Sequence, residues 1–168
     1  MPDWPIHLIV PLLALLMVSR KEHQKYVLLL LPLAVAPDLD TFMTQHRALL
    51  HNMFLPLILL LSAWVMKEKR TIFIIAAVYL ASHVFMDMFG GGVVIFYPFY
   101  DRMAFVDASL QTSQANDLLF TFDYGFKEYD AGWMKAYGYI MESTGTGAMI
   151  FVILAGVCVR YRNWIKEH

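Results

Sequence analysis

Within fifteen residues the chain places Pro37-Asp38-Leu39-Asp40 and His46-Arg47-x-x-x-His51, which is two carboxylates, two imidazoles and a guanidinium. On either side lie the almost wholly apolar runs 26–36 and 52–66. Charged and imidazole groups in apolar surroundings are costly unless they are paired or bind a metal. Further along, His83-Val-Phe-Met-Asp87 sets an imidazole and a carboxylate at i, i+4, the same face of a helix, where they either share a metal or bond to each other. Neither the His-Glu-x-x-His helix of zinc proteases nor a Gly-x-Ser-x-Gly or Walker motif is present.

Each residue also has a plainer reading. Asp38 and Asp40 follow Pro37, which disfavours helix just before them, and Asp40 is placed to cap the next segment. That role needs one acid, not two. His46 and His51 converge if one lies in a loop and the other in a first helical turn. Arg47 offers a bidentate fork for phosphate, or a side chain that reaches to lipid headgroups. His7 alone is a surface histidine near a helix start.

The elements that position these groups are apolar. Of 168 residues, 59% are hydrophobic and 16% charged, with mean hydropathy +0.53, the composition of an integral membrane protein. A net charge of −1 gives no sign of nucleic-acid binding, and Cys158, the sole cysteine, excludes an internal disulfide framework and a cysteine zinc knuckle. The first six residues contain Asp3 and no Lys or Arg, unlike a signal peptide.

Five apolar segments are expected to form membrane helices: 4–18, 26–36, 52–66, 71–89 and 145–159. The expected fold is therefore an all-α integral membrane protein, a single unit over 1–168. It has about five membrane-embedded helices and, at 90–144 between the fourth and fifth, a small mixed extramembrane or interfacial cap. In that cap 93–96 and 118–126 read as strands, the second by the alternation of Phe120, Phe122, Tyr124 and Phe126, and 127–142 reads as an amphipathic helix. Its aromatic density suits either a surface at headgroup level or a small core. The basic clusters at 20–25, 67–70 and 160–166 fall on one side, the cytoplasm by the positive-inside rule.

From those clusters, His7, Asp38 and His83 each lie 13 residues away and His51 lies 16. On straight helices these counts correspond to roughly 20–24 Å of rise, against a hydrocarbon core ~30 Å thick. The four residues are thus expected to meet at one depth, near the outer headgroups. His7, Asp38, Asp40, His46, His51, His83 and Asp87 are the candidate metal ligands. They outnumber what one tetrahedral zinc needs, so two or more ions are compatible, and mixed N/O donors suit zinc, manganese or iron.

His7, Pro37-Asp38-Leu39-Asp40, His46-Arg47-x-x-x-His51, His83-x-x-x-Asp87 and the following Tyr97-Pro98-Phe99, in this order, resemble a family of membrane-bound, metal-dependent hydrolases. Its bacterial members include a LexA-regulated inner-membrane protein. The resemblance covers roughly residues 1–100. The family is in turn similar to zinc-dependent phospholipase C and to single-strand nucleases, helical enzymes whose His/Asp clusters hold more than one zinc. The chain departs from the pattern at Pro11, where Gly is expected, and at Asn52, where Ser is expected.

The resemblance implies a phosphoester hydrolase with His7, Asp38, Asp40, His51, His83 and Asp87 as ligands. The expected activity is cleavage of a phospholipid or lipid-linked phosphoester at the outer face of the inner membrane. Asp40 or Asp87 would serve as proton acceptor and Arg47 would hold the phosphate. The alternatives are a metal transporter or sensor without hydrolysis, and a structural protein with a metal-stabilised cap.

Overall fold

A computed structural model describes residues 4–42, 47–112 and 118–129. Helix α1 (Trp4–Val18) contains Pro11, and its buried stripe is His7, Pro11 and Leu15, one turn apart each. Helix α2 (Gln24–Leu29) is only six residues long. It stops before Leu31, the residue preceding Pro32, as the steric demand of a proline ring on its predecessor requires. From there the chain winds in two 3-10 turns, Leu31–Ala34 and Ala36–Phe42. Pro32 and Pro37 each remove an amide donor that an α-helix needs.

Helix α3 (Phe54–Val65) opens beneath Asn52, whose side-chain oxygen accepts from the Phe54 amide at 3.1 Å. Helix α4 (Arg70–Phe89) is the central element and buries Ile75, Ala76, Tyr79, Leu80, His83, Val84 and Asp87 among others. Tyr79 donates to the Val27 carbonyl at 2.8 Å, tying α4 to α2 inside an apolar cluster with Leu15, Ala34 and Ile75.

Helix α4 ends at Gly90-Gly91-Gly92, and Gly91 and Gly92 take positive φ (115° and 99°). A Cβ on Gly92 would lie 2.9 Å from the Ala104 carbonyl oxygen, so the residue is required there by both backbone angle and space. Val93 then exchanges two amide bonds with Ala104, 3.0 and 2.8 Å, joining the root of a hairpin. That hairpin is β1 (Met103–Thr112) and β2 (Leu118–Lys127), antiparallel, in register from Met103 opposite Lys127 to Thr112 opposite Leu118.

The expected all-α membrane fold of about five membrane-embedded helices is overturned. The described residues contain four helices and a two-stranded antiparallel sheet. One stretch alone among them, Lys67–Phe89, is long and apolar enough to cross a membrane. At 1.5 Å per residue α1 and α3 reach roughly 22 and 18 Å, short of a ~30 Å core. The run 26–36 is no spanning helix: α2 ends at Leu29, and around Pro32 and the following Pro37 the chain winds in 3-10 turns. The fifth apolar segment, 145–159, and most of the amphipathic stretch 127–142 lie outside the described residues. The alternating segment read as a strand is β2, and its partner β1 was not anticipated.

Candidate metal centre

Four elements bring their polar side chains to one point. Helix α1 supplies His7, the 3-10 turn Ala36–Phe42 supplies Asp38 and Asp40, the loop 47–53 supplies Arg47 and His51, and α4 supplies His83 and Asp87 one turn apart. All seven residues are buried, Asp38 least so at 6% exposure. His46 lies outside the described residues.

The two central imidazoles are fixed from behind. His83 Nδ1 lies 2.6 Å from the Ala34 carbonyl oxygen, which can only accept, so Nδ1 carries the proton and Nε2 the lone pair. His51 Nδ1 donates in the same way to Asp40 Oδ2 at 2.9 Å, and the Leu50 amide donates to that oxygen at 3.2 Å. A 3-10 turn advances 120° per residue, so Asp38 and Asp40 point in different directions. Asp38 faces the imidazole Nε2 atoms, while Asp40 reaches round to His51 Nδ1.

In front, the His51 and His83 Nε2 atoms are 3.1 Å apart. Asp38 Oδ1 lies 3.5 and 3.4 Å from them. Asp87 Oδ2 lies 3.2 Å from His51 Nε2 and 3.7 Å from His83 Nε2. Asp38, His51, His83 and Asp87 each direct one ligand atom into this space, all within 4.8 Å of one another, close enough to bind one metal ion. Asp38 Oδ1 and both Asp87 oxygens are buried and receive no hydrogen bond among the described residues. A buried carboxylate oxygen without a donor is strongly disfavoured unless a cation meets it, so the donor set fits a metal.

The electrostatics agree. Burial alone would raise the Asp38 pKa, but the imidazoles of His51 and His83 hold it well below the usual carboxylate range. Burial would lower the His51 pKa, yet the carboxylates of Asp38, Asp40 and Asp87 around it push it up to about 10. Three acids focus negative potential on one ring.

Asp87 uses its second oxygen differently. Oδ1 lies 3.2 Å from His7 Nε2 and 3.7 Å from Arg47 Nη2. The His7 ring lies against that of His83, tilted by 33°, with centroids 4.1 Å apart. Arg47 is wholly buried, with φ 63°. Its Nη1 donates to the Gly90 and Gly92 carbonyls at 3.1 and 3.0 Å, and its own carbonyl accepts from the Val94 amide at 3.0 Å.

The structure thus gathers six of the seven sequence-derived ligand candidates and Arg47. It puts Asp40 behind His51 and His7 beside Asp87, with Asp38, His51, His83 and Asp87 at the centre. Sequence reasoning missed the carbonyls of Ala34, Gly90 and Gly92. Any residue supplies a carbonyl, so side-chain identity carried no signal for them; only the glycine run marked the place. No family model, curated protein or solved structure matches the chain.

Proposed function

We propose that the chain is a membrane-embedded, zinc-dependent hydrolase that cleaves a phosphoester of a phospholipid or lipid-linked substrate at the outer headgroup level. The observation that carries this reading is the spacing of four donor atoms. Ligands at ~2.0–2.1 Å from a tetrahedral zinc are separated by about 3.3–3.4 Å. Five of the six separations run from 3.1 to 3.7 Å, and all lie within 4.8 Å. Two imidazoles and two carboxylates are a donor set that zinc accepts, and each imidazole has the rear hydrogen bond that zinc-binding histidines characteristically make.

A divalent ion held there would supply Lewis-acid polarisation of a phosphoryl oxygen. The chain's own residues do the rest. Asp40 keeps the His51 proton on Nδ1 and the ring in place. Arg47 has an edge, Nε and Nη2, that is not hydrogen-bonded among the described residues, and its Nη2 lies 3.7 Å from Asp87 Oδ1. That edge has the geometry to grip a phosphoryl group. Asp87 Oδ1, 3.2 Å from His7 Nε2, is placed to take a proton from the water that attacks phosphorus, and the pair can return it to the alcohol that leaves as the ester P–O bond breaks.

The exterior supports a lipid setting. On α3, Leu57, Ile58, Leu60, Leu61, Trp64 and Val65 are all exposed, Trp64 to 79%. An apolar surface this continuous is unusual in water. An open pocket of about 580 Å³ at the hairpin root, lined by Asp101, Arg102, Glu128 and Tyr129, has the size and the mixed charges to meet a zwitterionic headgroup. The family resemblance points the same way.

One observation favours a second reading. Four buried protein ligands satisfy a tetrahedral ion completely, as in structural metal sites. The protein would then be a metal-binding membrane protein, carrier or sensor, without turnover. Purified protein in detergent, reloaded with zinc, separates the two when given phosphatidylcholine and bis(p-nitrophenyl) phosphate. Phosphate-ester cleavage that vanishes in Asp38→Ala/His83→Ala supports the hydrolase. Full zinc occupancy with no cleavage, or zinc uptake into proteoliposomes, supports the second reading.

A further inference from the structure

We infer that the site takes a single divalent cation and that the Arg47 guanidinium occupies the position a second one would need. This rests on the metal-binding reading above but opposes the expectation of two or more ions.

Paired catalytic metals lie ~3.5–4 Å apart and are commonly bridged by one carboxylate. Asp87 is the residue placed to bridge. Its Oδ2 faces the two Nε2 atoms, and its Oδ1 points to the other side, toward His7 Nε2 at 3.2 Å. A second ion would have to sit against Oδ1, where Arg47 Nη2 already stands 3.7 Å away. Arg47 cannot readily swing aside. Its Nη1 is held by two carbonyls of the glycine run, its backbone is fastened to Val94, and its side chain is wholly buried. No further carboxylate among the described residues is placed to help. Asp40 is engaged by His51 and the Leu50 amide, and Asp38 faces the first position.

Charge leads to the same count. Asp38, Asp40 and Asp87 bring three negative charges. Arg47 and one divalent ion neutralise them, with the histidines neutral as ligands. A second divalent ion would leave two positive charges uncompensated in a buried site, where desolvation makes that strongly unfavourable. The guanidinium is thus a built-in cation that needs no loading and cannot be chelated away. In the proposed hydrolysis it meets the phosphoryl charge that a second metal would otherwise meet.

The test is metal stoichiometry of the full chain in detergent after zinc or manganese loading, measured by elemental mass spectrometry. Only ions that are absent from Asp38→Ala/His83→Ala are counted. Wild type is expected to hold one ion per chain, with an uncoupled Mn(II) electron paramagnetic resonance spectrum. Arg47→Met, which removes charge and keeps length, is expected to take up a second ion. Arg47→Lys, which keeps the charge, is expected to stay at one and shows whether position 47 tolerates change.

Two ions in wild type, or an exchange-coupled manganese spectrum, overturn the inference and leave the metal-binding reading standing. No ion after reloading removes both. One ion in wild type and still one in a folded Arg47→Met shows that Arg47 does not hold the second place, and overturns its assignment.

Discussion

The candidate metal centre and the β-hairpin are opposites. At the centre the polar side chains are the most buried in the molecule: Asp40, Arg47, His51, His83 and Asp87 are each 0% exposed. On the hairpin large apolar side chains stand exposed, Phe120 to 66% and Tyr124 to 71%. Strand pairing sorts the hairpin into two faces. One carries Val106, Ala108 and Leu110 opposite Tyr124, Phe122 and Phe120; the other carries Asp107 and Ser109 opposite Asp123 and Thr121. Burial follows charge compensation at the centre and follows nothing inside the described chain on the hairpin. In one region the protein supplies the environment its residues need. In the other the aromatic face is left uncovered among the described residues, and under the proposed reading it meets lipid.

The largest test of this contrast removes a central charge. Asp87→Ala is expected to abolish zinc retention through gel filtration and to reduce any phosphoesterase activity to background, because it deletes a ligand and leaves Arg47 buried without its carboxylate. Retained stoichiometric zinc would show that Asp87 is not a ligand. Next comes Asp40→Asn, which keeps the shape but removes the charge behind His51. Metal affinity should fall about 10–100-fold, as for other partners of this kind, with stoichiometry unchanged in a competition titration against a chromogenic chelator.

A smaller effect is expected from pH on metal-free protein. His51, raised from 6.5 to about 10, contributes stability that is complete below pH 6.5 and lost as pH climbs toward 10. Asp38, lowered from 3.8, contributes stability that is present above pH 3.8 and lost on further acidification. Metal-free stability should therefore peak between about pH 4 and 6.5 and decline on the alkaline side, read by thermal melts after chelation. A melt that rises from pH 7 to 9 would contradict the assignment of the His51 charge. The smallest effect on folding is expected on the other side of the comparison. Phe120→Ser/Phe122→Ser should change stability by less than ~0.5 kcal/mol per site while lowering retention on phosphatidylcholine vesicles in a flotation assay. Unaltered flotation together with a lower melting temperature would make this face a folded core instead.

What the sequence discloses follows the same division. His7, Asp38, His51, His83 and Asp87 were legible because ionisable groups between apolar runs demand partners, and for the first four similar residue counts from the basic clusters, 13 to 16, implied a common meeting point. They do meet, though the chain between Gln24 and Phe42 reaches the point through a short helix and 3-10 turns instead of a membrane-crossing helix. Hydrophobicity did not reveal the winding; Pro32 and Pro37 were the signs of that. Strand β1 was hidden because Met103 and Ala104 interrupt its alternation where they enter the interior. Arg47 was noticed for its charge, yet its left-handed backbone and its carbonyl partners depend on where the glycine run returns.

The rear supports of the two central imidazoles differ in how they can be lost over generations. Asp40 is written in a codon, and one nucleotide change can replace it. The partner of His83 is the carbonyl of residue 34, which every amino acid possesses. Drift at that position can alter packing, but it cannot delete the acceptor while the chain keeps its path. One half of the centre is inherited as a residue and the other as a route.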